Sequence, residues 1–262
     1  MWQADGWGWR ARIGLLTPHA DIVPESEFRA MAPDGVSIHA ARVPLGVHAP
    51  GGTMDRTIDV DHVRAFADPP WVDDAAELLA AAPLQAIVYG FTSSSYVRGP
   101  ADDVALKRRL ELRTRGIPVV IPCAAAAAAL TALGVKRLAL INPPWFSAEL
   151  SRQGANYFHD QGLDVVHHGP AGLPSDQLAI DPAQVHEWVC AHTPANAEAV
   201  FIAGNGFRSI GAIQVLEEDL SRPVLTANQV AFWLALRFSG ARIPIAGYGR
   251  IFDRELSAAQ TR

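Results

Sequence analysis

The sequence predicts an α/β fold of two similar α/β halves, each built on a parallel four-stranded sheet and related by a pseudo-two-fold axis, with the active site between them. Three observations predict it. Short runs rich in Val, Ile and Leu alternate with longer alanine-rich helical patterns. Three segments of the first half are echoed in the second, in the same order. Each echo pairs one strand and its following turn with another.

Strands are expected at 12–16, 36–43, 86–89, 119–121, 137–141, 164–168, 199–203 and 224–226, short apolar runs bounded by Gly, Pro or polar residues. Helices fill the intervals at 71–82, 101–115, 124–133, 147–161, 182–190, 210–220 and 229–238. The first echo is Arg-Ile-Gly-Leu-Leu-Thr-Pro (12–18) against Arg-Leu-Ala-Leu-Ile-Asn-Pro (137–143). The second sets Ala-Ile-Val-Tyr-Gly-Phe-Thr-Ser-Ser (86–94) against Ala-Val-Phe-Ile-Ala-Gly-Asn-Gly-Phe (199–207). The third sets Ile-Pro-Val-Val-Ile-Pro-Cys-Ala-Ala (117–125) against Arg-Pro-Val-Leu-Thr-Ala-Asn-Gln-Val (222–230). We place the first half at 1–115 with a C-terminal return at 230–262, and the second at 116–229. Strand C-terminal loops of facing halves meet in one cleft, where open α/β sheets hold ligands.

Composition excludes several classes. At 262 residues, 49% hydrophobic and 19% charged, the chain can bury a substantial core. A net charge of -5 with no long basic run argues against nucleic acid. The apolar stretch at 119–133 is broken by Pro122 and too short to span a bilayer, so no membrane association is expected. Cys123 and Cys190 lie far apart without a secretory signal, which points to a reducing compartment, by default the cytoplasm. The nine histidines are scattered, and no metal cluster is expected. An oligomer stays open.

The matched turns are the candidate site. Phe91, Thr92, Ser93, Ser94 and Ser95 follow a strand and precede a helix, so amides and hydroxyls converge where a carboxylate is stabilised. A simple helix cap, with the helix beginning near Ala101, is the competing reading. Gly204, Asn205 and Gly206 occupy the equivalent turn, where glycines let a ligand approach the backbone. An ordinary tight turn is the alternative there.

Phe-Thr-Ser-Ser-Ser-Tyr-Val-Arg-Gly (91–99), Gly-Ile-Pro-Val-Val (116–120), Ala-Leu-Gly-Val-Lys-Arg-Leu-Ala-Leu (132–140) and Gly-Tyr-Gly-Arg-Ile-Phe-Asp (247–253) carry a resemblance over nearly the whole chain. Together they resemble the arylmalonate decarboxylase and maleate cis-trans isomerase branch of the aspartate/glutamate racemase superfamily. The resemblance implies the duplicated racemase-type fold and no metal or organic cofactor. It also implies a dioxyanion hole that includes Thr92 and Ser93 and stabilises a planar enediolate.

The departures are chemical. The racemases and maleate isomerases resembled place a cysteine in each matched turn, and the decarboxylases keep the second; here Phe91 and Gly204 stand at those positions. Two-thiol racemisation therefore has no acid or base to use. Asn142, Pro143, Pro144, Trp145 and Phe146 stand where the relatives carry a Pro-Tyr pair, and Trp145 is a candidate to line the pocket or to pack between the halves. Asp21, with His19 nearby, falls at a substrate-holding asparagine. A carboxylate there repels an anion unless protonated or paired, which suggests general-base work or a substrate bearing a donor. Cys123 opens a helix at the family's hydroxyl position and is either a proton donor or an inert buried thiol, while Cys190, beside His192, has no supporting constellation.

The functional expectation is a cofactor-independent enzyme acting on a small carboxylic acid through an enediolate, best a decarboxylase-like lyase. The alternatives are an isomerase using other residues, a carboxylate-binding homologue without turnover, or hydrolysis or elimination by His19 and Asp21.

Overall fold

In the computed structural model, residues 5–46 and 57–256 are described. The ends of the range assigned to the first half, 1–4 and 257–262, lie outside them, as does its stretch 47–56. Among the described residues, eight strands form two parallel sheets. The first holds β1 (Ala11–Pro18), β2 (Val36–Val43), β3 (Ala86–Tyr89) and β4 (Val119–Val120) in the order β2-β1-β3-β4. The second holds β5 (Arg137–Asn142), β6 (Asp164–Pro170), β7 (Ala199–Ile202) and β8 (Val224–Thr226) in the order β6-β5-β7-β8. The two orders are the same, which is the architecture the echoes predict.

All pairings are parallel, so helices cover the sheets and the inner strands must be apolar on both faces. Hence the unbroken runs Ala-Ile-Val-Tyr and Ala-Val-Phe-Ile, buried at every position of β3 and β7. The strand at 119–120 pairs with β3 and thus lies in the first sheet, although 116 was placed as the start of the second half. Chain order misleads here because β4 finishes one sheet immediately before the chain crosses to the other.

Helices α1 (Val23–Met31), α2 (Val60–Phe66), α3 (Trp71–Leu79), α4 (Thr92–Arg98) and α5 (Pro100–Arg113) belong to the first half. The sequence reading misses α1, α2 and α4. It takes α4 for a turn because Gly99, at φ 84°, and Pro100 divide α4 from α5, each helix keeping only its own cap signals. The hydroxyl run is therefore the first turn of α4 itself, and the helix near Ala101 is a separate element. Helices α6 (Pro122–Ala132), α7 (Ala148–Asp160), α8 (Pro182–His192), α9 (Ile213–Leu220) and α10 (Ala227–Phe238) follow. Pro122 and Pro182 stand in first turns, where a missing N–H costs nothing, and Asp181/Gln184 and Thr226/Gln229 close capping boxes on α8 and α10.

The counterparts α6 and α10 pack on one another, and α10 also lies against α1, β3 and β4, so α10 returns to the first half. Phe232 of α10 meets Phe28 of α1 at 5.3 Å between ring centroids, and Trp233 donates its indole N–H to the Arg254 carbonyl. One apolar core runs through both halves, from Ile13 and Val88 to Leu138, Phe201 and Trp233, and each such large side chain contributes about 1.5–3 kcal/mol on burial. No helix among the described residues is long and apolar enough to cross a membrane.

Candidate active site

The two matched turns meet at one cavity. Asp21, Ile58, Phe91, Thr92, Ser93, Trp145, Phe146, Gly204, Asn205 and Gly206 line it, and its volume of ≈ 20 Å³ is room for about one water molecule. Thr92 and Asn205 hold equivalent positions in the second echo, and the Thr92 hydroxyl donates to the Asn205 side-chain oxygen. Residues 113 apart in sequence thus touch where the halves join.

The third echo explains what holds each turn. Cys123 and Asn228 are its equivalent residues. The Asn228 amide donates to the Asn205 carbonyl at 2.8 Å, and the Cys123 thiol points at the Thr92 carbonyl at 3.7 Å. Each side chain clamps the backbone of its own turn. Cys123 is fully buried, burial pushes its thiol well above the ordinary range, and it does not line the cavity. A protonated thiol that serves as a clamp is a poor nucleophile. Cys123→Ser and Cys190→Ser variants are therefore expected to keep most of the activity toward any substrate found, and the wild type is expected to resist alkylating agents. Substrate-protected inactivation by such an agent, combined with loss of activity in Cys123→Ser, would reverse that assignment.

Asp21 is the ionisable group on the cavity among the described residues. It follows β1, is 2% exposed, and its Oδ1 accepts from the Val23 amide and from the Gln177 side chain, each at 3.0 Å. Burial pushes its pKa up to about 6; the hydrogen bonds from Val23 and Gln177 and the charge of Arg42 pull it partly back. Gln177 also donates to the Gly206 carbonyl at 3.0 Å. Gly206 is what admits both groups: a Cβ there would stand 2.3 Å from the Gln177 amide nitrogen and 2.8 Å from Asp21 Oδ2. Behind Gln177 lies a larger cavity of ≈ 480 Å³, lined mainly by apolar side chains such as Ile22, Leu178, Ile210 and Tyr248.

A second carboxyl escapes the sequence reading. Glu27, on α1, crosses to the other half: Oε1 accepts from the Ser209 and Ile210 amides at 2.8 and 3.1 Å, and Oε2 from the Asn228 amide at 2.7 Å. Burial pushes it up to about 7, against the pull of these hydrogen bonds, with the charge of Asp21 adding to the rise. Asn228 passes the constraint on, since Asn205 donates to its side-chain oxygen at 2.8 Å. Glu27, Asn228, Asn205 and Thr92 form one chain of contacts joining the halves through the site. The available signal is a carboxylate on the apolar stripe of Val23, Phe28 and Met31. Gln177 and Ile58 are also absent from the sequence reading, because they reach the site only through tertiary contacts.

Other sequence candidates lie off the cavity lining. His19 accepts from the Leu45 amide at 3.1 Å through Nδ1 and steadies the loop after β1. The Ser94 hydroxyl donates to the Phe91 carbonyl at 3.2 Å and meets the Tyr89 hydroxyl at 2.9 Å, away from the cavity, and no side chain caps the start of α4 or of α5. Asn142 ends β5 fully buried. Trp145 does line the cavity; its indole is edge-on to Phe207 of its own half at 6.1 Å, and its carbonyl accepts from the Ile58 amide of the first half at 3.1 Å. Phe91 fills its side with an aromatic ring tilted at 44° against Phe66, 4.3 Å between centroids. Gly204 adopts φ 85°, and a Cβ there would lie 2.2 Å from Pro143 Cγ, so this backbone admits a side chain at that position only by shifting.

Comparison with known proteins follows the same lines. The chain is 25% identical over 249 residues to the arylmalonate decarboxylase of Bordetella bronchiseptica, covering 92% of this chain and 96% of that one. Its fold is similar to that of a cysteine-to-alanine variant of the maleate isomerase Iso from Pseudomonas putida S16 with maleate (TM-score 0.80, 19% identity, 94% of this chain and 98% of that). It is also similar to a glycine-to-cysteine variant of arylmalonate decarboxylase in a sulfate-associated form (TM-score 0.74, 24% identity, 92% and 99%). The model of the family described as arylmalonate decarboxylase matches residues 50–252, and the chain belongs to that family.

Proposed function

We propose that the protein is a cofactor-independent, decarboxylase-like lyase for a small carboxylic acid, in which Asp21 replaces the missing thiol as proton donor. The observation that carries this reading is a single cavity bordered by the Thr92–Ser93 turn, the glycine-rich turn and a buried carboxyl raised to about 6. Thr92 and Ser93 hold one carboxylate of the substrate. The other leaves as carbon dioxide when its bond to the α-carbon breaks, and that electron pair forms an enediolate on the carboxylate that stays. Hydrogen bonds to the enediolate oxygens stabilise the charge where it develops. Neutral Asp21 then gives its proton to the α-carbon and is reprotonated from solvent. In the acid form it also avoids repelling the anionic substrate.

The cavity as it stands holds about one water, so substrate entry requires side chains to move. Gln177 is the candidate, since it lines the larger cavity and donates to Asp21, which lines the small one. The apolar surfaces of Phe91, Trp145 and Phe146 favour acids with an apolar substituent over amino acids.

A panel of substituted malonates and maleate, run in deuterium oxide, tests the reading. Release of carbon dioxide with one deuteron at the α-carbon is expected from a malonate. Binding of the panel without turnover would instead support a carboxylate-binding homologue. Ser93→Ala is expected to lower turnover about 100-fold, the loss typical of one oxyanion donor. An unchanged rate and affinity would leave Ser93 a helix residue only.

A further inference from the structure

We propose that His186, Cys190 and Asp219 form a binding site for a divalent ion of the zinc class where α8 packs on α9. His186 and Cys190 stand four residues apart on α8 and so share a face, and Asp219 meets them from the last turn of α9. His186 Nε2 lies 2.8 Å from Asp219 Oδ2 and 3.6 Å from Cys190 Sγ, and the three donor atoms all lie within 4.8 Å of one another.

These spacings approach what the ion needs. With Zn–N and Zn–O near 2.0 Å and Zn–S near 2.3 Å, a tetrahedral ion sets its ligand atoms roughly 3.3–3.6 Å apart. The His–Cys pair is already there. The His–Asp pair must open by about half an ångström, from a hydrogen bond to two metal bonds. Asp219 can follow, because its side chain is 56% exposed. Three protein ligands leave a fourth position for water.

The donor set selects the metal. An imidazole, a thiolate and one carboxylate suit zinc, whereas magnesium and calcium take oxygen ligands. Without a cation, burial and the nearby Asp219 charge hold the Cys190 thiol up; a bound dication reverses that balance and releases its proton. His192, the neighbour the sequence suggests for Cys190, instead stacks on Trp188 at 4.0 Å. None of the three ligands lines the candidate active site, so the inference stands independently of the proposed reaction. An ion here ties α8 to α9, the helix that follows the Ser209 and Ile210 amides held by Glu27.

Zinc titration of chelator-stripped protein against a chromophoric competitor tests the site, with magnesium as the control. One equivalent of zinc and no competition by magnesium are expected. Cobalt is expected to give the visible bands of a tetrahedral ion and a thiolate charge-transfer band that Cys190→Ser removes. His186→Ala and Asp219→Asn are each expected to weaken zinc binding by about 10-fold or more, since even outer partners of a metal cost that much. Their unfolding midpoints in chelator, compared with wild type, show whether the fold is kept; Asp219→Asn, exposed, serves if His186→Ala is not. Absence of a stoichiometric zinc site, binding that survives all three substitutions, or a cobalt spectrum without the thiolate band would overturn the proposal.

Discussion

Asp21→Asn is expected to lower turnover by about 10²–10⁴-fold, the contribution of a positioned proton-transfer group, while the fold is kept. Asparagine has the same shape and can still accept from the Val23 amide, but it has no proton to give. The pH profile identifies the role. As an acid raised to about 6, Asp21 is charged above that pH, so kcat/KM of the wild type should fall as pH rises through it. A base would give the opposite limb. Gln177→Ala adds a check: it removes a hydrogen bond to Asp21 and changes its burial, so the limb should shift from its wild-type position, and the shortened side chain should admit larger acids. Full activity in Asp21→Asn, or a limb that Gln177→Ala leaves in place, would remove Asp21 from the mechanism.

Glu27→Ala is expected to destabilise the protein by about 2–4 kcal/mol, because it leaves two backbone amides and the Asn228 amide without their acceptor, at about 1–3 kcal/mol for each buried group before relaxation. The loss should depend on pH with a definite sign. The Glu27 pKa is raised in the folded state to about 7, so its stabilising contribution is fully present below its unfolded pKa and is lost as pH rises through the folded value. The gap between wild type and Glu27→Ala, measured by urea unfolding, should therefore be larger at pH 5 than at pH 8. An equal or reversed gap would show that the carboxyl is not buried as described. Activity should fall as well, since Asn228 and the Gly204 turn lose their anchor across the halves.

The sequence by itself determined the two sheets, their equivalent order and the pairing of the turns. These rest on local signals repeated in order: apolar strands buried on both faces, proline and capping residues at helix starts, and small residues where strands end. It also showed that Phe91 and Gly204 stand where the relatives resembled carry thiols. It did not place α4, because hydroxyl residues that end in a glycine and a proline read as a loop until the helix is seen against α7. Nor did it separate the four hydroxyls: Thr92 and Ser93 face the cavity while Ser94 turns back to Tyr89, a difference of helical rotation that composition does not encode.

Only the tertiary structure decided which polar residues act together. Cys123 reads in sequence as either a proton donor or an inert buried thiol, and burial and its contact with the Thr92 carbonyl make it the counterpart of the Asn228 clamp. Asp21 and Glu27 have ordinary carboxyls in the chain as written. Removal from water at the junction of the halves raises both, against the pull of hydrogen bonds from partners as distant as Gln177 and Asn228. Strand and turn preferences act over a few residues and are written locally, whereas desolvation and hydrogen-bond closure between halves exist only once the chain has folded.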